Sequence, residues 1–390
     1  MDLDDFDYHL PDQAIAQFPA EPRDAARLLV DRGTAGVAHR HVTDLPDLVR
    51  PGDLLVVNTS RVLPARLRLT KPTGGEVEVL LLERLPSGAW EALVRPSRKV
   101  KPGTVLAAGA DLAVHVGGDG PGDGTRLVDL RVSADPGISR DVGSADLDRS
   151  AGDAEGRRPH DATDATDDGT AELAALARYG VVPLPPYITE PLADPDRYQT
   201  VFADRPGSVA APTAGLHLTP DVLDRCRAAG ARVASVDLVV GMGTFRPMTA
   251  AKVEDHHMHA ERYHVPAETS AACEATRAAG GRVIAVGTTT VRALESAALS
   301  GRPEGRTELF IHRPWRWRTV DVLMTNFHLP RSSLLVLVDA FVGPRWRDLY
   351  AEALGAGYRF LSFGDAMLLS RTEPGPPGGS GSANARSETS

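Results

Sequence analysis

The chain has 390 residues, 42% of them hydrophobic, and a formal net charge of -9. A chain of this length and composition can bury a large core, which excludes a peptide-sized or wholly disordered protein and favours two domains. The acidic balance argues against a general nucleic-acid coat, although a local basic patch is compatible with it.

Residues 1–60 are predicted to begin as an extended segment and to end in a buried strand. The apolar run 54–57 leads into Asn58 and Thr59, with Arg61 and Arg66 close behind. Polar loops at strand ends are common binding sites, so this loop is a candidate for holding a carboxylate, a phosphate or a ribose hydroxyl. A capped turn with solvated arginines is the alternative.

The pattern changes after residue 61. Short β-rich stretches alternate with Gly and Pro turns, at 66–70, 76–85, 90–95 and 125–132. This pattern predicts a small all-β barrel domain inserted over residues 61–177. Within it, residues 134–171 are rich in Asp, Gly, Ala and Ser and are predicted to be a disordered insertion.

From residue 178 onward, strand-like stretches alternate with Ala-rich helical stretches. The strand-like stretches are RVASVDLVV (232–240), RVIAVGT (282–288), VDVLMTNF (320–327) and LLVLVDAF (334–341). This alternation predicts an α/β main domain with mixed β-sheets, built from residues 1–60 and 178–370. The Pro-, Gly- and Ser-rich residues 371–390 are predicted to be a disordered tail.

The sequence predicts neither a membrane span nor a zinc or disulfide framework. Its longest apolar runs are far shorter than the roughly 20 residues that cross a bilayer. Cys226 and Cys273 have no CxxC partner, and two isolated cysteines fit a reducing compartment. We therefore expect a cytoplasmic protein.

Two loops combine small residues with polar groups. Residues 210–219, AAPTAGLHLT, offer Thr213 and His217, and both a binding loop and a plain strand-to-helix connection fit this stretch. Residues 239–246 contain a turn with Gly241 and Gly243. This turn lacks the third glycine and the following acid of a dinucleotide fingerprint.

Two later loops place polar groups after apolar strands. GTTTVRALE (287–295) is predicted to start a helix, with Thr288, Thr289, Thr290 and Arg292 near its N-terminus, a suitable cradle for an anion. TNFHLPRSS (325–333) carries Asn326, His328 and Arg331 and is predicted to connect two apolar strands.

Residues 254–264, EDHHMHAERYH, are the densest titratable segment of the chain. The spacings of His256, His257 and His259 do not reproduce the i, i+4 pair of an HExxH zinc site. An acid/base cluster is the first interpretation, a solvated loop the second and a metal site the third.

Together these segments resemble the S-adenosylmethionine:tRNA ribosyltransferase-isomerase family of queuosine biosynthesis. The resemblance rests on FDYHLP, NTSRVLPARL, GGEVEVLLLE, YGVVPLPPYI, AAPTAGLHLT, GMGTFRPM, HHMHAE, VGTTTVRALES, TNFHLPRSSLLVLVDAF and YRFLSFGDAMLL, and it covers nearly the whole chain except 134–171 and the tail.

The resemblance implies an α/β main domain with an inserted β-barrel. It also implies a reaction in which the ribosyl part of S-adenosylmethionine moves onto 7-aminomethyl-7-deazaguanine at the tRNA wobble position. Adenine and methionine leave, and the sugar rearranges to give epoxyqueuosine. The expected partners are S-adenosylmethionine, as a co-substrate, and the tRNA anticodon stem-loop; we expect no separate cofactor, no metal and a monomer.

Roles follow from what that chemistry needs, namely a base at the ribose 5' carbon and an acid at adenine. His256, His259 and Glu261 are the predicted base cluster, and His217 or His328 the predicted acid. Arg292 is predicted to bind the methionine carboxylate together with Thr288, Thr289 and Thr290. Asn58 or Asp365 is predicted to bind hydroxyl groups of the ribose or the base. The remaining predicted binding residues are Arg61, Thr213, Gly241, Gly243 and Asn326.

The chain departs from the family pattern at three places. Val239 stands where the family usually has histidine, Ala260 where it has serine, and RPWRW (313–317) where it has a PGY segment. These changes leave open a family member that binds tRNA or S-adenosylmethionine without catalysis. A metal-dependent hydrolase built on the His256 segment is the other alternative.

The basic and aromatic side chains of 313–317 and the basic segment 95–101 are candidates for gripping an unstacked anticodon base. Ordinary surface packing is the alternative for both segments.

Overall fold

The structure is a computed structural model that describes residues 1–122, 124–133, 164–241, 248 and 250–371. The strands are β1 (Arg27–Asp31), β2 (Val37–His41), β3 (Leu54–Asn58), β4 (Ser60–Val62), β5 (Arg66–Thr70), β6 (Glu76–Arg84), β7 (Trp90–Arg95), β8 (Val105–Ala108), β9 (Leu112–Asp119), β10 (Arg126–Val132), β11 (Gly180–Val181), β12 (Arg205–Ser208), β13 (Arg232–Leu238), β14 (Glu261–His264), β15 (Val283–Val286), β16 (Glu304–Thr307), β17 (Val322–Asn326) and β18 (Ala366–Ser370). The α-helices are α1 (Asp164–Tyr179), α2 (Pro220–Ala228), α3 (Ala267–Ala278), α4 (Thr288–Ser300), α5 (Ser333–Val342) and α6 (Trp346–Gly355).

Nine strands form a mixed main sheet in the order β16-β14-β13-β3-β15-β17-β18-β1-β2. The central strands β13, β3, β15 and β17 run parallel, whereas β18 runs antiparallel to β17. Parallel strands bring their carboxyl ends to one edge of the sheet, where ligand sites of α/β proteins usually lie. Here that edge carries Asn58 and Asn326.

Strands β3, β15 and β17 are buried at every position because each of them contributes side chains to two cores. Leu54 and Val56 of β3 belong to the core that contains α5 and α6, while Leu55 and Val57 belong to the core that contains α2. Successive side chains of a strand point to opposite faces, so a sheet covered on both sides needs a continuous apolar run. The run at 54–57 meets that need.

A six-stranded antiparallel barrel lies beside the main sheet. Its strands follow the order β5-β6-β7-β10-β9-β8, and a β5–β8 pairing at Thr70 and Ala107 closes it. Closure removes the unpaired edges that would otherwise be open to other chains. Leu67 and Leu69 point inward while Arg68 between them is exposed. The predicted fold class, an α/β main domain with mixed sheets plus a small all-β barrel, is therefore confirmed.

We propose the domain division that the sequence predicts, with residues 61–177 inserted between 1–60 and 178–370. Every strand of the closed barrel lies inside 61–177. The short strand β11 lies just beyond that range, and its residues Gly180 and Val181 pair with β5. The sheet that contains the barrel thus reaches slightly past the proposed boundary.

The predicted strand at 334–341 is wrong, because these residues lie in helix α5. The side chain of Ser332 caps the helix by accepting a hydrogen bond from the Leu335 backbone N–H at 3.3 Å. Eight of the ten α5 residues are buried, so the helix is apolar nearly all round, and periodicity then cannot separate a helix from a buried strand. Residues 325–333 therefore connect a strand to a helix.

The predicted disordered insertion is also wrong at its C-terminal end, where residues 164–171 belong to helix α1. Ala175 and Leu176 of this helix pack into the barrel core, and the Tyr179 hydroxyl donates to Asp111. Long-range packing thus supports a helix that local composition does not favour. Residues 134–163 and the predicted tail from 372 onward lie outside the described residues.

Across the part of the chain that the structure describes, no helix combines the length and apolar character that a membrane span requires.

A buried carboxylate organises the opposite edge of the sheet, where the parallel strands begin. Asp53 is 1% exposed and accepts hydrogen bonds from the backbone N–H groups of Arg50 at 2.8 Å and Arg282 at 3.0 Å. The Arg282 guanidinium also pairs with it at 2.5 Å. Burial acts to raise the pKa of Asp53, but the bonds from Arg282 and Arg50 outweigh it and hold the pKa below its usual range.

Replacing Asp53 by alanine is expected to lower the free energy of unfolding by about 3 kcal/mol, because buried donors lose their acceptor. Urea denaturation measures this change. Asp221, an exposed carboxylate that pairs with Arg225 at 3.6 Å, is the matched control. Its alanine variant is expected to change the free energy of unfolding by less than about 0.5 kcal/mol. Equal losses at both positions would contradict the assignment.

Candidate active site

A cavity opens at the carboxyl ends of β15 and β17, where about 590 Å³ of empty space includes the part that is open to solvent. Its walls come from residues 211–214, 240, 287–289, 325–329 and 361–362, together with Tyr187, Ser332 and Leu334. These lining residues include hydroxyl, amide, imidazole and apolar groups but no Asp, Glu, Lys or Arg. The cavity is therefore a largely apolar space with a few placed polar groups, which is typical of small-molecule sites.

One wall is the N-terminus of helix α4. Gly287 lies at φ 90°, a left-handed conformation that glycine adopts readily, and its backbone N–H donates to the Met324 carbonyl at 2.8 Å. The chain then enters the helix with Thr288 and Thr289 on the cavity. The N–H groups of a first helical turn have no partner within the helix, so this wall favours an anionic or hydroxyl group of a ligand.

A second wall is organised by Asn326 at the end of β17. Its amide nitrogen contacts His217 Nε2 at 3.0 Å and donates to the Leu361 carbonyl at 3.0 Å. The Thr213 hydroxyl donates to the Asn326 side-chain oxygen at 3.4 Å. Burial, reinforced by the charges of Arg359 and Arg23, lowers the pKa of His217 to about 4. A neutral His217 is thus a partner that orients Asn326 from behind the cavity wall.

His328 is the one titratable side chain besides a tyrosine that lines the cavity among the described residues. The Tyr8 hydroxyl donates to its backbone carbonyl at 2.5 Å, and its backbone N–H donates to the Tyr350 hydroxyl oxygen at 3.0 Å. Its ring contacts the Thr325 hydroxyl at 3.0 Å. Burial lowers the pKa of His328 to about 3, so the imidazole is neutral at physiological pH.

Tyr187 and Ser362 also line the cavity, and the sequence predicts no role for either. Their hydroxyl groups lie 2.7 Å apart, and burial raises the pKa of Tyr187. Both stand inside segments that carry the family resemblance, YGVVPLPPYI and YRFLSFGDAMLL. Their residue types alone carry no chemical signal, and 175 positions separate them in the chain.

Several predicted binding residues instead tie the backbone together. Asn58 accepts from the backbone N–H of Leu238 at 3.1 Å and donates to the Thr289 hydroxyl at 3.2 Å. The Asp365 carboxylate accepts from the backbone N–H groups of Arg27 and Arg359, at 2.9 and 2.7 Å. The Thr290 hydroxyl donates to Val286 at the preceding strand end, and Arg61 lies exposed on β4. None of these four predicted residues lines the cavity.

Arg292 and Glu261 form a buried ion pair behind the cavity wall. Their side chains are 4% and 5% exposed. Burial lowers the pKa of Arg292 to about 10, so it still carries its charge at neutral pH. Glu261 also accepts a hydrogen bond from the Gly241 backbone N–H at 3.0 Å.

The predicted turn residue Gly243 lies outside the described residues.

Residues 3–369 of this chain match the family model described as queuosine biosynthesis protein. The match spans the main sheet, the barrel and the cavity. The chain belongs to the queuosine biosynthesis protein family.

Other members of this family share nearly half of their residues with the chain. The S-adenosylmethionine:tRNA ribosyltransferase-isomerase of Gloeobacter violaceus is 47% identical over 94% of this chain and 95% of its own. The protein of the same name from Thermus thermophilus is 47% identical over 94% of this chain and 99% of its own. A crystal structure of S-adenosylmethionine tRNA ribosyltransferase from Thermotoga maritima aligns at 36% identity and a TM-score of 0.47, covering 93% of this chain and 99% of that one.

In this member of the queuosine biosynthesis family, the histidine-rich segment does not reach the cavity. His259 is exposed, and His256 packs edge-on against Phe310 at 5.3 Å. Burial and the neighbouring histidines lower the pKa of His256. Within the described ranges, no group of three His, Cys, Asp or Glu side chains is placed to hold a metal ion. Three predicted base candidates, His256, His259 and Glu261, thus lie apart from His328.

The segment 313–317 packs into the main domain of this family member. The indole N–H of Trp315 donates to buried Glu295 at 3.2 Å, and that of Trp317 donates to the Ala340 carbonyl at 3.3 Å. Both rings are partly buried. This anchoring favours packing over base stacking for the two tryptophans.

Proposed function

We propose that this protein transfers the ribosyl group of S-adenosylmethionine to 7-aminomethyl-7-deazaguanine at the tRNA wobble position and isomerises it, releasing adenine and methionine. The proposal is supported by relatives of that enzyme name at about 47% identity over nearly the whole chain. The single structural observation that carries it is the cavity at the carboxyl edge of the sheet, where a neutral imidazole faces hydroxyl groups and a helix N-terminus.

The proposed reaction starts when a base removes a proton from the ribose 5' carbon beside the sulfonium. His328 is assigned to this step because its imidazole lines the cavity and, being neutral, has a lone pair for the proton. Burial also makes it a weak base, so the step relies on the sulfonium to acidify the neighbouring C–H bond. The lowered pKa values of His217 and His328 disfavour their predicted use as acids, since neither carries an extra proton to donate near pH 7. We therefore assign His328 as the base and His217 as a residue that orients Asn326.

The first turn of α4 is the proposed site for the methionine carboxylate. Thr288 and Thr289 offer hydroxyl groups on the cavity, and the helix N-terminus favours a negative charge there. Thr213, Tyr187 and Ser362 are the proposed partners for ribose hydroxyls. The apolar side chains of Phe327, Leu329, Leu334 and Leu361 exclude water from the reacting atoms.

tRNA is the proposed partner, with the anticodon stem-loop presenting the base. The exposed basic side chains Arg95, Arg98, Lys99 and Lys101 at one end of the barrel are candidates for contacts with its phosphates. We further propose a monomer that acts in the cytoplasm with no separate cofactor.

The decisive experiment incubates the protein with S-adenosylmethionine and tRNA that carries the 7-aminomethyl-7-deazaguanine base. We expect free adenine and methionine in equal amounts, and epoxyqueuosine in the digested tRNA by mass spectrometry. Binding of both substrates without adenine release would replace the proposal with that of a non-catalytic binding protein. Turnover that a strong chelator abolishes would instead favour a metal-dependent enzyme.

A further inference from the structure

The buried pair of Glu261 and Arg292 joins three separate segments behind the cavity. Glu261 begins β14, and Arg292 lies one turn into α4. Besides Glu261, the Arg292 guanidinium donates to the carbonyls of Leu309 at 3.0 Å and Thr307 at 3.4 Å. A charge pair this deeply buried and this fully bonded holds its neighbours in one arrangement.

Both ends of the pair lead directly to a cavity wall. The Glu261 carboxylate accepts a hydrogen bond from the Gly241 backbone N–H, and the residue before Gly241, Val240, lines the cavity. Val240 itself is fixed by a second tether, because its backbone N–H donates to the Ser208 hydroxyl at 3.1 Å. Arg292 lies on the helix whose first residues, Thr288 and Thr289, form another wall.

We propose that Glu261 and Arg292 are positioning residues that set the spacing between the Val240 wall and the N-terminus of α4. Neither side chain is among the described residues that line the cavity, so we assign neither of them as the base or as the carboxylate ligand. Their effect on the reaction passes through the two walls that they connect. This inference rests on the proposed function, because it requires that S-adenosylmethionine binds between these two walls.

The test compares the single variants Glu261→Gln and Arg292→Gln with the double variant. Each single variant leaves a buried group without its charged partner, and we expect the KM for S-adenosylmethionine to rise at least tenfold. The double variant removes both charges, while the amide oxygen introduced by Glu261→Gln still accepts from the Gly241 N–H. We expect it to recover to within about threefold of the original KM, since neutral replacement of a buried pair is often tolerated.

Asp53→Asn provides a matched control, since Asp53 belongs to a buried ion pair at the opposite edge of the same sheet. It should lower the thermal midpoint while leaving the KM for S-adenosylmethionine unchanged. All variants are compared well below their thermal midpoints, with folding checked by circular dichroism. An equal rise in the KM for S-adenosylmethionine in Asp53→Asn would mean that the effect of Glu261→Gln comes from general destabilisation. That result would overturn the proposal.

Two further results would also overturn it. If Glu261→Gln lowers kcat at least a thousandfold, with no recovery in the double variant, Glu261 acts as the base. If folded variants keep the original KM and kcat, the pair is structural only. Calorimetric titration with S-adenosylmethionine alone distinguishes failure of the proposed function from failure of the positioning role. No binding by the unmodified protein counts against the proposed function, whereas equal binding by all variants counts against positioning alone.

Discussion

Replacement of His328 by alanine is expected to lower kcat about 100- to 10,000-fold, the range typical of a lost general base. The reason is that His328 carries the only imidazole that lines the cavity among the described residues, and burial keeps this imidazole neutral. Its backbone is fixed independently by Tyr8 and Tyr350, so the alanine variant keeps the cavity wall in place. Adenine release with saturating tRNA and S-adenosylmethionine measures the loss.

The control for this prediction is His115→Ala, which removes an exposed histidine from barrel strand β9. It should leave kcat unchanged. His259→Ala is the informative rival, because His259 belongs to the base cluster that the sequence predicts. A loss confined to His259→Ala, with His328→Ala fully active, would reject His328 as the base.

The second large effect expected is a loss of stability in mild acid. His217 and His328 have folded-state pKa values of about 4 and about 3, below the ordinary value near 6.5. The unfolded chain therefore binds protons at these sites that the folded protein does not take up until lower pH. Their stabilising contribution is complete above about pH 6.5 and is lost as the pH falls from there toward the folded-state values.

The free energy of unfolding is expected to fall by on the order of 5 kcal/mol between pH 7 and pH 4 as both imidazoles become protonated in the unfolded chain. Urea denaturation at a series of pH values gives the slope of the free energy of unfolding against pH. The variant His217→Gln with His328→Gln should flatten it in the window from pH 4 to 6.5, and each single variant should flatten it by about half. An unchanged slope in the double variant would mean that other groups control acid stability.

Much of the fold could be predicted from short-range patterns. The alternation of Leu67, Arg68 and Leu69 identifies a strand with one buried face, and the fully apolar run at 54–57 identifies a strand covered on both faces. The helix at 333–342 could not be predicted this way, because a segment that is buried nearly all round has no periodicity to read. Helix α1 begins where composition suggests disorder, and its stability comes from contacts with the barrel.

The candidate site divides in the same manner. The sequence places Thr288, Asn326 and His328 directly after apolar strands, and a parallel sheet necessarily gathers such ends at one edge. His256 and Glu261 stand out in the sequence for their chemical type and their density along the chain, but the structure separates both from the cavity. Chemical type alone does not show which way a side chain points.

The sequence by itself therefore determines the family, the two kinds of architecture and the loops that meet at the cavity, since motifs and strand patterns are local properties. Only the tertiary structure decides which polar groups are free to act. Arg292 has the right chemistry for an anion, yet Glu261 comes from 31 positions away to neutralise it. Tyr187 and Ser362 meet across 175 positions. Burial and partnership depend on contacts between distant segments, and these contacts set both the charge of a group and what it can reach.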